Sequence, residues 1–215
     1  MAAVPAFGLN RFDYTSPQTF AADARRAERL GWDYAFIPSS PLRRQDPYVY
    51  LAFAAVQTER IGLGPLIENP VMRHPSVVAS SIATIAALAP GRTLLGYGVG
   101  DTAVRLMGKR PATVAELEAA TILTRQLLAG ETIEVHAARP ARLQHALPVP
   151  VWIAAGGPRT LPDGGTRRRR LRRVRGARDD RQPAVWGIAT GVSHRDDHSA
   201  SRADAACGGT ASRLY

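Results

Sequence analysis

Residues 1–160 repeat one alternation. A short, near-continuous apolar run is followed by a stretch in which apolar residues recur at helical spacing. The runs are VPAFGL (4–9), YAFIP (34–38), IGLGPLI (61–67), TLLGYGV (93–99) and VPVWIAA (149–155). They are apolar at successive rather than alternate positions, so they read as strands buried on both faces. Helices follow the first four. Ser16-Pro17 opens one whose Phe20, Ala24, Ala27 and Leu30 share a face, and Gly31 closes it. Asp46-Pro47 opens the second in the same way. Pro75 opens the third, with Val78, Ile82, Ile85 and Leu88 as its stripe and Pro90-Gly91 as its stop. Thr113-x-x-Glu116 is a capping box ahead of Leu117, Ala120, Leu127 and Leu128, and Gly130 ends that helix.

Strand starts at 4, 34, 61 and 93 lie one βα unit apart, which predicts an α/β fold with a parallel sheet. Residues 131–148 interrupt the alternation and have room for a short hairpin. An open doubly wound sheet and a (βα)₈ barrel share this pattern. The Gly-rich turn of a dinucleotide-binding sheet is absent after the first run, where the chain reads GLNRFDYTSP. Polar residues instead follow several different runs, which favours the first five strands of a TIM barrel. After Leu161 the pattern fails, and an Arg-rich tail stands where the fifth helix is expected. The expected division is therefore 1–161 for the barrel part and 162–215 for a basic tail.

Charge sharpens that division. The net charge is +10, but residues 166–215 hold 12 Arg against 5 Asp, leaving only +3 for the rest. The basic character belongs to the tail. Cys207 is the only cysteine, which rules out an intrachain disulfide and a Cys-based metal cluster, and no metal is expected. The N-terminus lacks a signal-peptide pattern and VVASSIATIAALA is too short to span a bilayer, so a cytoplasmic protein without a membrane partner is expected.

In a βα barrel the site is built at the C-terminal ends of the strands. The residues there are Asn10 and Arg11; Ser39 and Ser40; Glu68, Asn69, Arg73 and His74; Gly98, Gly100 and Asp101; and Gly156, Gly157, Arg159 and Thr160. Gly96, Gly98 and Gly100 in TLLGYGVGD fall on one face of their strand. Such a face leaves space for a flat cofactor or for close approach of neighbouring backbone. AAGGPRT offers successive Gly N–H groups to a phosphate, and it also reads as an ordinary tight turn. His74 has the chemistry of an acid–base group, but a lone loop His is more often a hydrogen-bonded wall residue. Glu68 needs solvent or a partner, with Arg73 the nearest in sequence.

The run IGLGPLIENPVMRHPSVVASSIATIAALAPGRTLLGYGVGD resembles the core of the bacterial luciferase-like superfamily. It is most similar to the branch that uses the deazaflavin coenzyme F(420), including methylenetetrahydromethanopterin reductase-like proteins. PATVAELEAATILTRQLLAGE and PVPVWIAAGGPRTL continue the likeness. The resemblance implies a (βα)₈ barrel, usually a homodimer, that moves a hydride or activates oxygen on a small organic substrate through coenzyme F(420) or FMN. It also implies that Leu66-Ile67 forms a bulge, often with a non-prolyl cis peptide, against the cofactor's central ring. Glu68 and Asn69 adjoin that bulge in the cofactor-binding set. Gly98, Gly100 and Asp101 would line the cofactor's side, and Gly156 and Gly157 would meet its phosphate. Two departures stand out. Glu68 occupies a position that is often Thr, and Pro38-Ser39-Ser40 lacks the His or Asp common there, so no catalytic acid is assigned.

The Arg run has three readings: a nucleic-acid arm, a disordered tail, or out-of-frame translation of GC-rich DNA. The last explains both the composition and the abrupt loss of pattern, so a frameshift or truncation near 161–166 is expected and a nucleic-acid partner is not. A barrel part with open edges is expected to have weak or absent activity of its own.

Overall fold

The computed structural model describes residues 6–134 and 139–155, and the backbone of 170–173. The readings of Gly156, Gly157, Arg159 and Thr160, of the frameshift point and of most of the tail lie outside these residues. The elements in chain order are β1 (Gly8–Asn10), α1 (Pro17–Arg29), β2 (Tyr34–Ile37), α2 (Pro47–Ala55), β3 (Gly62–Pro65), α3 (Pro75–Leu88), β4 (Leu95–Tyr97), α4 (Thr102–Leu106), α5 (Val114–Leu128), β5 (Val151–Ala155) and β6 (Arg170–Arg173).

The helix starts follow from their caps. The Ser16 side chain accepts from the Thr19 N–H, Asp46 from the Tyr48 N–H and His74 from the Ser76 N–H, each ahead of a Pro at the first helical position. Thr113 and Glu116 form the reciprocal capping box. Gly31, Gly91 and Gly130 follow the helices with positive φ, a backbone conformation that glycine adopts at little cost.

β1, β2 and β3 pair in parallel, as do β4 and β5. Two parallel bridges, Leu63 with Thr93 and Glu68 with Tyr97, join the two ladders. Five parallel strands therefore stand in chain order, the arrangement of the first part of a βα barrel. One sheet face carries Ala35, Ile37, Leu63, Leu95, Tyr97, Val151 and Ile153 into the core formed with the helices. Each of the buried Val, Leu and Ile side chains among them contributes about 1.5–3 kcal/mol. The opposite, inner face gathers Phe36, Leu66, Leu94 and Trp152, with Tyr34 and Ile67 against them. Tyr34 stacks on Phe36 at 5.6 Å and meets Trp152 edge-on at 5.2 Å, so β2 and β5 touch across the inner face. Glycine on neighbouring strands leaves space for these rings, since a Cβ at Gly62 would lie 2.4 Å from the Tyr34 ring and one at Gly8 2.6 Å from the Phe36 ring.

The antiparallel bridge of Ile133 with Ala141 accords with the short hairpin for which 131–148 has room. Two details depart from the sequence expectation. Leu30 and Leu88 are exposed, because each sits where its helix ends and the buried face has turned away. The Arg run supplies β6, which pairs antiparallel with β5, whereas a following barrel strand would be parallel. An open sheet edge is satisfied by any backbone that can present N–H and C=O groups, so apolar patterning gives no warning of such a strand.

Candidate functional site

The strands' C-terminal ends meet at a mouth centred on the end of β3. Between its bridges to β4, β3 advances five residues (Leu63 to Glu68) while β4 advances four (Thr93 to Tyr97). One extra residue is a bulge, and it reverses which side the following side chain faces. The Leu66–Ile67 peptide at this bulge is cis. Leu66 and Ile67 turn to the inner face, where their Cδ1 atoms occupy the places that Cβ atoms on Gly96 and Gly98 would need, at 2.6 and 2.5 Å. The space vacated by these two glycines is thus filled by the bulge itself.

Asn69 is buried and its Oδ1 accepts from the Met72 N–H at 3.0 Å. Gly100 has φ +78°, and a Cβ there would meet Val104 at 2.5 Å and Asn69 at 3.2 Å. Leu66, Ile67, Asn69, Gly98 and Gly100 are therefore one patch. Asp101 is at its edge, exposed and paired with Arg105 at 2.8 Å. Asn10 shares a register position with the inward Phe36, and its Oδ1 is buried without a hydrogen-bond partner; so is the Ser40 Oγ beyond β2.

Glu68 does not join this patch. The bulge turns it to the outer face beside Tyr97, completely buried. Its Oε1 accepts from the Asn69 N–H at 2.9 Å and its Oε2 from the Ser39 hydroxyl at 3.1 Å. Arg73 Nε lies 3.6 Å from Oε2, and the Arg73 guanidinium also binds Asp46, the cap of α2, while packing over the Tyr48 ring. Burial pushes the Glu68 carboxyl up, against the pull of the Asn69 N–H, the Ser39 hydroxyl and Arg73. Burial raises both the Tyr48 and Tyr97 phenols above their ordinary range, Tyr48 well above it; the Tyr48 hydroxyl faces the Glu68 carboxyl and the Tyr97 hydroxyl faces Thr124, neither in full hydrogen-bond geometry. Arg73 is the partner anticipated for Glu68, but Tyr48, Tyr97 and Ser39 were not anticipated. Residue counting along β3 carries no sign of the bulge that brings them together.

His74 serves α3. Its Nδ1 takes the Ser76 N–H at 3.2 Å and lies 2.8 Å from the Ser76 hydroxyl. A separate open cleft of about 860 Å³, bordered by Pro70, His74, Lys109, Glu116 and Leu123, includes none of the mouth residues. Among the described residues, no group of three or more His, Cys, Asp or Glu could hold a metal, and no helix is long and apolar enough to cross a membrane.

The family model for luciferase-like monooxygenase matches residues 6–168. The chain belongs to that family. It is 32% identical to a coenzyme F(420)-dependent glucose-6-phosphate dehydrogenase of Beutenbergia cavernae over 166 residues, covering 66% of this chain and 48% of the relative. It is 39% identical to a 5,10-methylenetetrahydromethanopterin reductase of Methanopyrus kandleri over 101 residues, covering 46% of this chain and 28% of that protein. The solved coenzyme F(420)-dependent tetrahydromethanopterin reductase of the same organism superposes with a TM-score of 0.66 at 28% identity, over 74% of this chain and 52% of that one. The chain spans about half the length of the curated relatives it matches.

Proposed function

We propose that this chain carries the coenzyme-binding part of an oxidoreductase that uses coenzyme F(420), acting on a small organic substrate. The observation that carries the reading is the mouth itself. Leu66 and Ile67 form a glycine-backed wall on the inner face, and Asn10 Oδ1 at the end of β1 and Ser40 Oγ beyond β2 are buried without partners. The glucose-6-phosphate dehydrogenase relative and the solved tetrahydromethanopterin reductase, both named as coenzyme F(420)-dependent, support the choice of coenzyme. The residues fit a flat heterocycle: Ile67 offers an apolar face, while Asn10 and Ser40 offer polar contacts at its edge. Asn69, Gly98 and Gly100 complete the wall. Gly156 and Gly157 are proposed for the phosphate on sequence grounds alone. A deazaflavin supplies hydride transfer when bound, and the chain's own residues bind it, orient it and keep water from its buried face.

FMN is the second reading, favoured by the family's description and by a fold-level likeness to an FMN-bound Baeyer–Villiger monooxygenase, with a TM-score of 0.54 at 20% identity. Equilibrium titration of the folded chain with each coenzyme decides between them. Tighter binding of coenzyme F(420) is expected, and binding of neither removes the proposal.

Pairing with a second copy is part of the reading. α2 and α3 contain no charged residue, yet Val49 of α2, Val56 just after it and Val77 of α3 face outward, with Phe53 partly so. The outer faces of α1 and α5 instead carry Arg25, Arg26 and Arg29, and Glu116 and Glu118. An uncharged outer face set between charged neighbours is self-complementary in a two-fold dimer.

A further inference from the structure

Glu68 is a costly residue in its position. A completely buried carboxylate is tolerated only where hydrogen bonds and a cation offset its lost hydration. Its partners come from separate segments: the Ser39 hydroxyl follows β2, the Asn69 N–H follows β3, and Arg73 lies further along the same loop. Arg73 extends the chain of contacts to Asp46, whose side chain also accepts from the Tyr48 N–H at 2.9 Å. One carboxylate therefore ties the loop after β2 to the loop after β3 and, through Arg73, to the start of α2. Both loops also contribute to the mouth, through Ser40 on one and Asn69 on the other. The bulge places Ile67 on the inner face and its neighbour Glu68 on the outer face.

We infer that Glu68 is a positioning residue: from behind the sheet its carboxylate holds the two loops that shape the coenzyme wall, without touching the coenzyme. The inference rests on the reading of the mouth as a coenzyme site. An uncharged residue at this position would keep the fold and lose the tie. Gln can still accept from the Asn69 N–H and meet the Ser39 hydroxyl. It cannot attract Arg73 as an anion does, and Arg73 then answers to Asp46 alone. The amide also avoids the burden of a buried negative charge. A merely structural residue would lose stability and binding together, whereas a positioning residue separates them.

The test compares the unsubstituted chain with Glu68→Gln, and with Glu68→Thr as a second variant should the amide pack poorly. Three readings are taken: the melting temperature at neutral pH, the Kd for coenzyme F(420), and hydrogen exchange across the chain, amides 39–46 and 66–73 above all, without coenzyme. A melting temperature that does not fall, binding about tenfold weaker, and faster exchange confined to 39–46 and 66–73 are expected, on the scale of one hydrogen bond to a charged group. Parallel loss of stability and affinity in both variants would overturn the inference, as would unchanged affinity and exchange. If the unsubstituted chain binds no coenzyme, the underlying reading of the mouth fails, and the inference fails with it. Altered exchange in such a case would leave Glu68 as a structural tie only.

Discussion

At the scale of single residues, the inner face is decided by what stands opposite each glycine. A Cβ at Gly64 would lie 2.1 Å from the Leu94 carbonyl oxygen, a backbone atom held in the sheet, so nothing can yield. Gly31 has open space around it but φ +80°. Gly64→Ala should cost about 3 kcal/mol through overpacking and Gly31→Ala about 1 kcal/mol through left-handed backbone, read as the difference in denaturant unfolding. Two carboxylates give opposite pH signatures. The Arg110 guanidinium and the Thr113 N–H hold Glu116 down at about 2, below its unfolded value. Its contribution is therefore present above the unfolded pKa and lost as pH falls through the folded one. Burial raises the Glu68 pKa above its unfolded value, so stability from that group is present below the unfolded pKa and lost as pH rises through the folded one. Unfolding measured against pH should be less acid-sensitive below the ordinary carboxylate range in Glu116→Gln, and should lose a high-pH decline in Glu68→Gln.

At the scale of elements, the caps set the helix starts, and they are testable one at a time. Thr113→Ala removes half of the capping box and should destabilise by about 1 kcal/mol. His74→Asn keeps a cap acceptor ahead of α3 and should leave both stability and coenzyme affinity nearly unchanged; a large loss of affinity alone would restore a chemical role to His74. These elements were legible because their causes are local. Ser16-Pro17, Asp46-Pro47, Pro75 and Thr113-x-x-Glu116 each announce a helix within a few residues, and the five apolar runs each contain a strand. The site was legible only in part. Ile67, Asn69, Gly98 and Gly100 fall together because they follow adjacent strands. Glu68 faces the other side because one extra residue enters β3, and that is a property of the pairing with β4 rather than of either segment. The partners of the glycine face belong to the same class, since Leu66 and Ile67 reach Gly96 and Gly98 only across the β3–β4 junction.

At the scale of the whole molecule, the sheet and the uncharged helix pair each point beyond the single chain. β1 has a strand neighbour on one side only among the described residues, and β5 is joined on its far side by the antiparallel β6. On the outside, α2 and α3 present a neutral face between charged neighbours. Replacing Val49 and Val56 with Glu should convert a dimer in sedimentation to a monomer without changing the far-ultraviolet spectrum; a chain already monomeric before substitution would exclude the proposed pairing.

If the mouth beside the bulge receives a flat coenzyme, Trp152 is placed to report it. This residue is on the inner face against Phe36 and Tyr34, in the same cluster as Leu66 and Ile67. With Trp32 and Trp186 both replaced by Phe, Trp152 is the only indole left in the chain. The decisive measurement is titration of that variant with coenzyme F(420), followed by Trp152 emission and repeated with Gly98→Val added to displace Ile67. Saturable quenching is expected, abolished by the Gly98 substitution while the chain stays folded. Quenching that survives it, or a folded chain whose Trp152 emission never responds, would mean that the mouth does not receive the coenzyme.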